Sequence, residues 1–421
     1  MDDADTAILE ELPGGGVGEV PLTPIVSWMI ERTRQFDRHT QTALLTLPPG
    51  IEQTVLERTV QSVLDHHDML RARLQHDQDE WMMDVRPAGA VAAAEIIRRV
   101  GVDSASGHEF STLASAELDR AAGRLDPGAG SMLQLVWFDA GSQPSRLLIV
   151  AHHLVVDGVS WRILVPDLAS AWSQVVAGQE PVLAPVGTSM RRWAHGLRDE
   201  AVDRRSELDL WKQVLEGPDK LIGSRPLDPA VDVYDTVERI DVELSVAVTE
   251  DLLTTIPDVF HGSVNDGLMA GLALAIAAWR RTRGGDDDVF VSLEGHGRED
   301  HVVPGADLGR TLGWFTTIFP VRIDLSGTDI DSALDGGVSA GSLIKSVKER
   351  LLAVPDHGIG YGMLRYLDEQ SREALAAYPV RRSASTISAA TAQASRATSV
   401  TWVGYLSTTR ISATSRTRIF R

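Results

Sequence analysis

Residues 147–172 read LLIVAHHLVVDGVSWRILVPDLASAW. Four apolar residues, Leu147 to Val150, lead into the adjacent histidines His152 and His153, then Asp157-Gly158. In the segment that follows, Trp161, Leu164, Val165, Leu168 and Trp172 fall on one helical face. A short apolar run reads as a buried strand, Asp-Gly supplies turn chemistry, and the helical spacing marks an amphipathic helix. The stretch therefore predicts strand, tight turn and helix, the unit of an α/β fold. The amides of Val159, Ser160 and Trp161 are expected to lie unpaired at the helix start, where they carry partial positive charge. A histidine beside that end is biased toward its neutral form, the form a general base needs.

The same mixture extends outward. Residues 132–138 and 146–151 read as strands joined by a turn at 139–145 that contains Gly141 and Pro144, and residues 81–85 read as another strand. Helices are predicted within 18–32, from Ile25, Trp28 and Met29, within 50–74, and over 191–215. A second histidine pair, His66-His67, lacks the Asp-Gly that follows the first and is expected to pack rather than react. The Pro/Gly/Asp-rich passage 217–232 is the candidate connection between lobes. Beyond it, 236–244 alternates like a strand, and 263–279 reads as a helix apolar almost all round, hence buried. A turn at Gly284-Gly285, followed by Asp286 to Asp288 in a solvated role, feeds the apolar strand 289–293. That strand ends on Glu294-Gly295-His296-Gly297-Arg298-Glu299. Titratable residues placed directly after a buried strand, among glycines that let a ligand approach, mark a site.

Composition narrows the classes. With 421 residues, 43% of them hydrophobic, the chain has room for two core-bearing lobes, and no apolar run reaches membrane-spanning length. The absence of cysteine excludes disulfides, a thiol nucleophile and thiolate metal sites, and no metal-ligand spacing is present. A net charge of −19 argues against a nucleic-acid or anionic-membrane surface. The acidic, Gly-rich start MDDADTAILEELPGGG lacks the regions of a signal peptide, so a cytoplasmic location is expected.

His152 to Gly158 resembles the HHxxxDG signature of the condensation superfamily of nonribosomal peptide synthetases. The continuation VSWRIL resembles its epimerization branch. Leu22-Thr23-Pro24-Ile25 with Trp28, EGHGRE at 294–299, GRTLGWFTTIFPV at 309–321 and DHGIGYGMLRYL at 356–367 resemble further phrases of that branch in the same order. The resemblance implies two chloramphenicol-acetyltransferase-like α/β lobes, residues 1–180 and 181–379, in a V-shaped pseudo-dimer with the site at the lobe junction. It also implies a channel for the phosphopantetheine arm of a peptidyl carrier protein, adjacent synthetase modules as partners, and no dissociable cofactor of the chain's own.

The implied reaction interconverts L and D configurations at Cα of an aminoacyl or peptidyl thioester. Inversion removes a weakly acidic proton and returns one to the opposite face, so two acid/base groups are needed. The resemblance assigns them to His153 and Glu294. Amides near Gly158 to Ser160 are expected to meet the oxyanion. His152 is expected to be structural, and Asp157 to act as a turn cap or as an ion-pair partner of Arg298. His296 is placed to orient Glu294, while Tyr361 and Trp314 are aromatics that pack. Two rivals remain: an acyl or peptidyl transferase using His153 toward an amine, and a non-catalytic docking module. Without adenylation or carrier sequence, the chain reads as a fragment of an assembly line or a stand-alone remnant.

The C-terminus departs from the pattern. Residues 380–421 hold seven arginines, no lysine and no acidic residue, so the rest of the chain carries −26. The family phrase Phe-Asn-Tyr-Leu-Gly-Arg is missing there. Yet residues 380–390 can be encoded so that reading from the third base of codon 380 spells Pro-Gln-Ile-Ser-Phe-Asn-Tyr-Leu-Gly-Arg. Out-of-frame translation from about Pro379 is therefore expected, with a poorly packed tail and impaired activity.

Overall fold

A computed structural model describes residues 9–378 apart from 34–35, 78–79, 219–224, 227, 229–230, 233–235, 237 and 284–287; beyond 378 it describes only strand residues at 386–387, 405–406, 410–411 and 416–420. The tail's packing therefore lies outside the described residues, as do most of the glycine turn at 284–287 and much of 217–232.

The chain divides into two units: Met1–Glu200 with Arg298–Thr316 and Ala394–Ala413, and Ala201–Gly297 with Thr317–Gln393 and Thr414–Arg421. The first break falls after Glu200, where the boundary was expected at 180/181, and passage 217–232 falls within the second unit's span. The helix Met190–Glu200 stays with the first unit for a local reason. Arg191 donates to the carbonyls of Pro13, Gly15 and Glu19, and Gly196 is packed so closely that a Cβ would lie 2.6 Å from Val303. EGHGRE is itself divided, Glu294 to Gly297 in one unit and Arg298-Glu299 in the other.

The first unit is built on a four-stranded sheet in the order Thr40–Leu47, Ser145–His152, Leu133–Asp139, Ile97–Gly101. The turn at 139–145 makes the middle two strands an antiparallel hairpin, as its Gly and Pro predict, and only the last pair is parallel. Alternation places Val136, Phe138, Leu148 and Val150 on one face, under the helix Gly107–Ala122 with its Phe110 and Ala114. Leu135 and Ile149 point the other way, toward Val60, Val63 and Leu64 of the helix Gln53–His66 and Leu164 and Leu168 of the helix Ser160–Val176. Both faces are covered, so the strands read as continuous apolar runs rather than alternating ones.

In the second unit, Asp288–Gly295 pairs antiparallel with Thr317–Asp324, with Glu294 opposite Ile318, and Thr386–Ile387 lies parallel along its other edge. Val289, Val291 and Leu293 face a core with Phe319, Val321, Trp211, Met269 and Val347. The helix Val264–Arg281 is opened by a capping box between Ser263 and Asp266. It buries a stripe through Met269, Ala273 and Ala277 but leaves Trp279 37% exposed, so it is not buried all round as its composition implied. The single helix expected over 191–215 is also corrected: a 3-10 turn, Asp203–Glu207, separates Met190–Glu200 from Leu208–Leu215. Among the described residues no single helix is long and apolar enough to cross a membrane.

Candidate active site

His153 follows the central strand directly, and the strand register decides what surrounds it. Thr40 pairs with His152 and Gln41 with Ala151, and the His153 amide donates to the His39 carbonyl at 2.8 Å, so the ladder runs one step past the strand end. His39 is therefore opposite His153 and Gln41 is its diagonal neighbour on the same face, while Thr40 and His152 face the other side. The two rings stack at 4.8 Å and 8°, and Trp314 lies 4.4 Å from the His153 ring. Gln41 Nε2 sits 2.8 Å from His153 Nε2. Burial, with the neighbouring His39 adding to it, pushes the His153 imidazole down to about 3, so it is neutral throughout the physiological range.

His152 is fully buried. Its Nε2 donates to the Phe36 carbonyl at 2.9 Å, its Nδ1 accepts the Leu154 amide at 3.2 Å, and burial lowers it to about 4. Both ring nitrogens are thus engaged by backbone groups.

Asp157 closes the turn. Its Oδ1 accepts the Ser160 amide at 2.7 Å and the Ser160 hydroxyl at 2.8 Å, and its Oδ2 accepts the Phe315 amide at 3.3 Å. Arg298 Nη2 approaches the same carboxylate at 3.2 and 3.4 Å, while Nη1 donates to the carbonyls of Leu308 and Thr311. The guanidinium stacks 4.0 Å over Phe315. The Asp157–Arg298 pair anticipated from the sequence is thus present, and the carboxylate also binds the amide that opens the helix. One expectation is overturned: the Ser160 amide is not free at the helix start but bound to Asp157, which removes it as an oxyanion donor in this arrangement. Gly158 is exposed, has no left-handed φ, and a Cβ there would meet nothing within 4 Å. Nothing in the packing of the turn demands a glycine.

In the second unit, Glu294 is the penultimate residue of Asp288–Gly295. Alternation puts it with Phe290 and Ser292, on the face opposite Val291 and Leu293. It is half-buried, and desolvation pushes its carboxyl up to about 7 from the usual 4.5. Gly295 admits the close approach of its neighbours, since a Cβ would fall 2.6 Å from Thr317 Oγ1 and 3.6 Å from the His357 carbonyl. His357 belongs to a left-handed run, Asp356 at φ 41°, His357 at 51° and Gly358 at 82°, in which Arg204 pairs with Asp356. Such non-glycine conformations are costly and persist only where the surroundings hold them. His296 is exposed, 6.4 Å from the His357 ring, and Tyr361 packs 5.3 Å from Trp211 at the margin of the core.

The second histidine pair also finds its place. His66, His67 and Asp167 bring three donor atoms within 4.8 Å of one another, the one such group among the described residues. Arg310 Nη2 lies 2.6 Å from both Asp167 oxygens and His67 Nε2 lies 2.8 Å from one of them. The carboxylate is already satisfied, and a metal ion there would sit against a guanidinium, so the group fits an ion-pair network better than a metal centre.

Sequence reasoning missed His39 and Gln41. The strand that orders them, Thr40–Leu47, has a Thr-Gln-Thr start that looks like loop, and their importance comes only from register with residues 151–153.

A family description, Condensation domain, matches residues 17–380. A linear gramicidin synthase of Brevibacillus parabrevis is 36% identical over 88% of this chain, and Tyrocidine synthase 1 from the same organism is 31% identical over 83%. The chain spans only 5% and 31% of those proteins' lengths. The crystal structure of the epimerization domain from the third module of tyrocidine synthetase B superposes with a TM-score of 0.71 at 27% identity, covering 86% of this chain and 78% of that one. A crystal structure of the X-domain from teicoplanin biosynthesis, at 20% identity and a TM-score of 0.66 over 87% of this chain and 75% of that one, shares the fold. With the double-histidine turn seated at the end of its central strand and the family match running across nearly the whole described chain, this protein belongs to the condensation-domain family of nonribosomal peptide synthetases.

Proposed function

We propose that this chain is an epimerization domain, inverting Cα of an aminoacyl or peptidyl thioester presented on the phosphopantetheine arm of a peptidyl carrier protein. His153 and Glu294 are its acid/base pair, one proton carrier from each unit. The observation that carries the reading is Glu294: a carboxyl raised to about 7 can hold or release a proton near neutrality, as the counterpart of an imidazole that is never charged there. An amide-forming transferase needs one base; inversion needs a second proton carrier, and EGHGRE supplies it. The likeness to the tyrocidine synthetase epimerization domain supports the same choice. The thioester carbonyl delocalises the carbanion, and the pantetheine arm belongs to the partner, so the chain supplies only proton transfer and shape.

The family description itself favours a second reading, a condensation-type transferase in which His153 acts on an amine nucleophile. Incubation of a loaded carrier protein in deuterated water separates the two. An epimerase incorporates deuterium at Cα without an acceptor amine, and His153→Ala and Glu294→Ala each suppress incorporation. Amide product without Cα exchange would overturn the proposal.

A further inference from the structure

Trp161 is fully buried, and its indole Nε1–H, a group that can only donate, points at Gln41 Oε1 at 2.7 Å. That bond fixes which end of the Gln41 amide is oxygen. The other end, the NH2 group, is then the one 2.8 Å from His153 Nε2. An NH2 group donates, so the facing ring nitrogen must accept and must carry no proton. In a neutral imidazole the proton therefore resides on Nδ1. The chain of donors runs one way, from Trp161 through Gln41 to His153, and each member is held by an element of the same unit.

We propose that Gln41 is a positioning residue for His153: it sets the Nδ1–H tautomer, aims the Nε2 lone pair, and occupies that lone pair until a substrate C–H displaces it. If His153 takes a proton on Nε2, its new N–H faces the Gln41 NH2. The amide cannot rotate to accept it without abandoning the buried Trp161 N–H. The protonated ring is thus returned to the neutral state once the proton has moved on. The ring stack with His39 and the contact with Trp314 hold the plane of the imidazole; Gln41 decides which of its nitrogens is the base.

The catalytic consequence rests on the proton-transfer reading of His153, but the tautomer can be read without substrate. Long-range proton–nitrogen NMR on the full chain with labelled histidine reports it, with the His153 signals assigned by their loss in His153→Asn. The expected result is a single Nδ1–H tautomer in the parent chain. Gln41→Leu should give a mixed or Nε2–H state. Gln41→Glu, which keeps an acceptor for Trp161 but turns a second oxygen toward His153, should give Nε2–H. Cα exchange in Gln41→Leu should show kcat lower by about 10- to 100-fold with KM near the parent value, the range seen when an imidazole loses its orienting partner. An Nε2–H ring in the parent chain, or an unchanged Nδ1–H ring in Gln41→Glu, overturns the proposal. If Gln41→Leu does not fold, the Gln41→Glu spectrum alone decides. Absence of exchange in every version, with the tautomers as expected, would sink the epimerase reading and leave the positioning role standing.

Discussion

A carboxyl at about 7 and an imidazole at about 3 respond to pH in opposite ways, and the signs can be followed into both stability and rate. For Glu294, burial favours the neutral acid. Its contribution to stability is complete below the ordinary value of 4.5 and is lost as pH rises through about 7. Glutamine has no such loss, so the melting temperature of Glu294→Gln relative to the parent should climb between pH 5 and 8; a difference independent of pH would count against a buried, raised carboxyl. For His153 and His152 burial also favours the neutral form, but here stability is present above 6.5 and is lost as pH falls toward about 3 and about 4. Exchange at Cα should therefore show one inflection, near neutrality, belonging to Glu294, and no acid limb from His153 until well into the acid range. Gly158 offers a separate test. Because its backbone is unstrained and its surroundings are open, Gly158→Val should change stability by no more than about 0.5 kcal/mol, the usual range for a surface substitution. If the open space is the path of the thioester arm, the same substitution should cut exchange at least tenfold while the melting temperature holds. Loss of both together would return Gly158 to a structural role.

At the level of elements, the strand-turn-helix unit was legible because three independent signals agree on it: a short apolar run, Asp-Gly, and a helical stripe beginning at Trp161. What the sequence could not show is that one carboxylate would serve as turn former, helix cap and ion-pair partner at once. The Ser160 amide looked free only because Asp157 was assigned a single task. The break in the helix expected over 191–215 has a similar cause. Its 3-10 turn Asp203–Glu207 is polar, and it is anchored by Arg205 on Asp368 and Arg204 on Asp356, partners more than 150 residues away that no local window contains. His39 and Gln41 were hidden for the same reason, since register is a property of two strands. The Asp157–Arg298 brace gives the measurable consequence. Its side chains are only 5% and 9% exposed, so Asp157→Ala leaves a buried guanidinium without its counter-charge and should cost about 3–5 kcal/mol in denaturant unfolding. Removing both charges in Asp157→Ala/Arg298→Met should cost less than the two single changes added together, because neither partner is then left alone. Additive losses would mean that the arginine is held by the carbonyls of Leu308 and Thr311 and not by the acid.

Across the whole molecule the charge is divided unevenly, −26 before residue 380 and seven arginines after it, and the family match stops at that same residue. The second unit's sheet shows what is at stake there. Asp288–Gly295 has eight residues paired on one side, against Thr317–Asp324, and among the described residues its other side pairs with Thr386–Ile387, opposite Ser292 and Leu293. Backbone groups along a strand that carries Glu294 near its end need partners, and the segment after Pro379 is the one that lies along this edge. The shifted reading of residues 380–390 supplies a ten-residue phrase with Ile, Phe, Tyr and Leu, the composition of a strand that can both pair and cover. We propose that the gene lost frame near Pro379. The coding sequence is the first check, because third bases at Ala384 and Thr386 other than those the phrase requires end the idea outright. Where they agree, the chain with its frame restored should protect the amides of Val289–Leu293 from hydrogen exchange more strongly than the present chain. Its Cα exchange should rise as well, because a firmer strand fixes where the Glu294 carboxyl points. Equal protection in the two chains would mean that the shifted phrase adds nothing to this edge of the sheet, and would count against the frame loss.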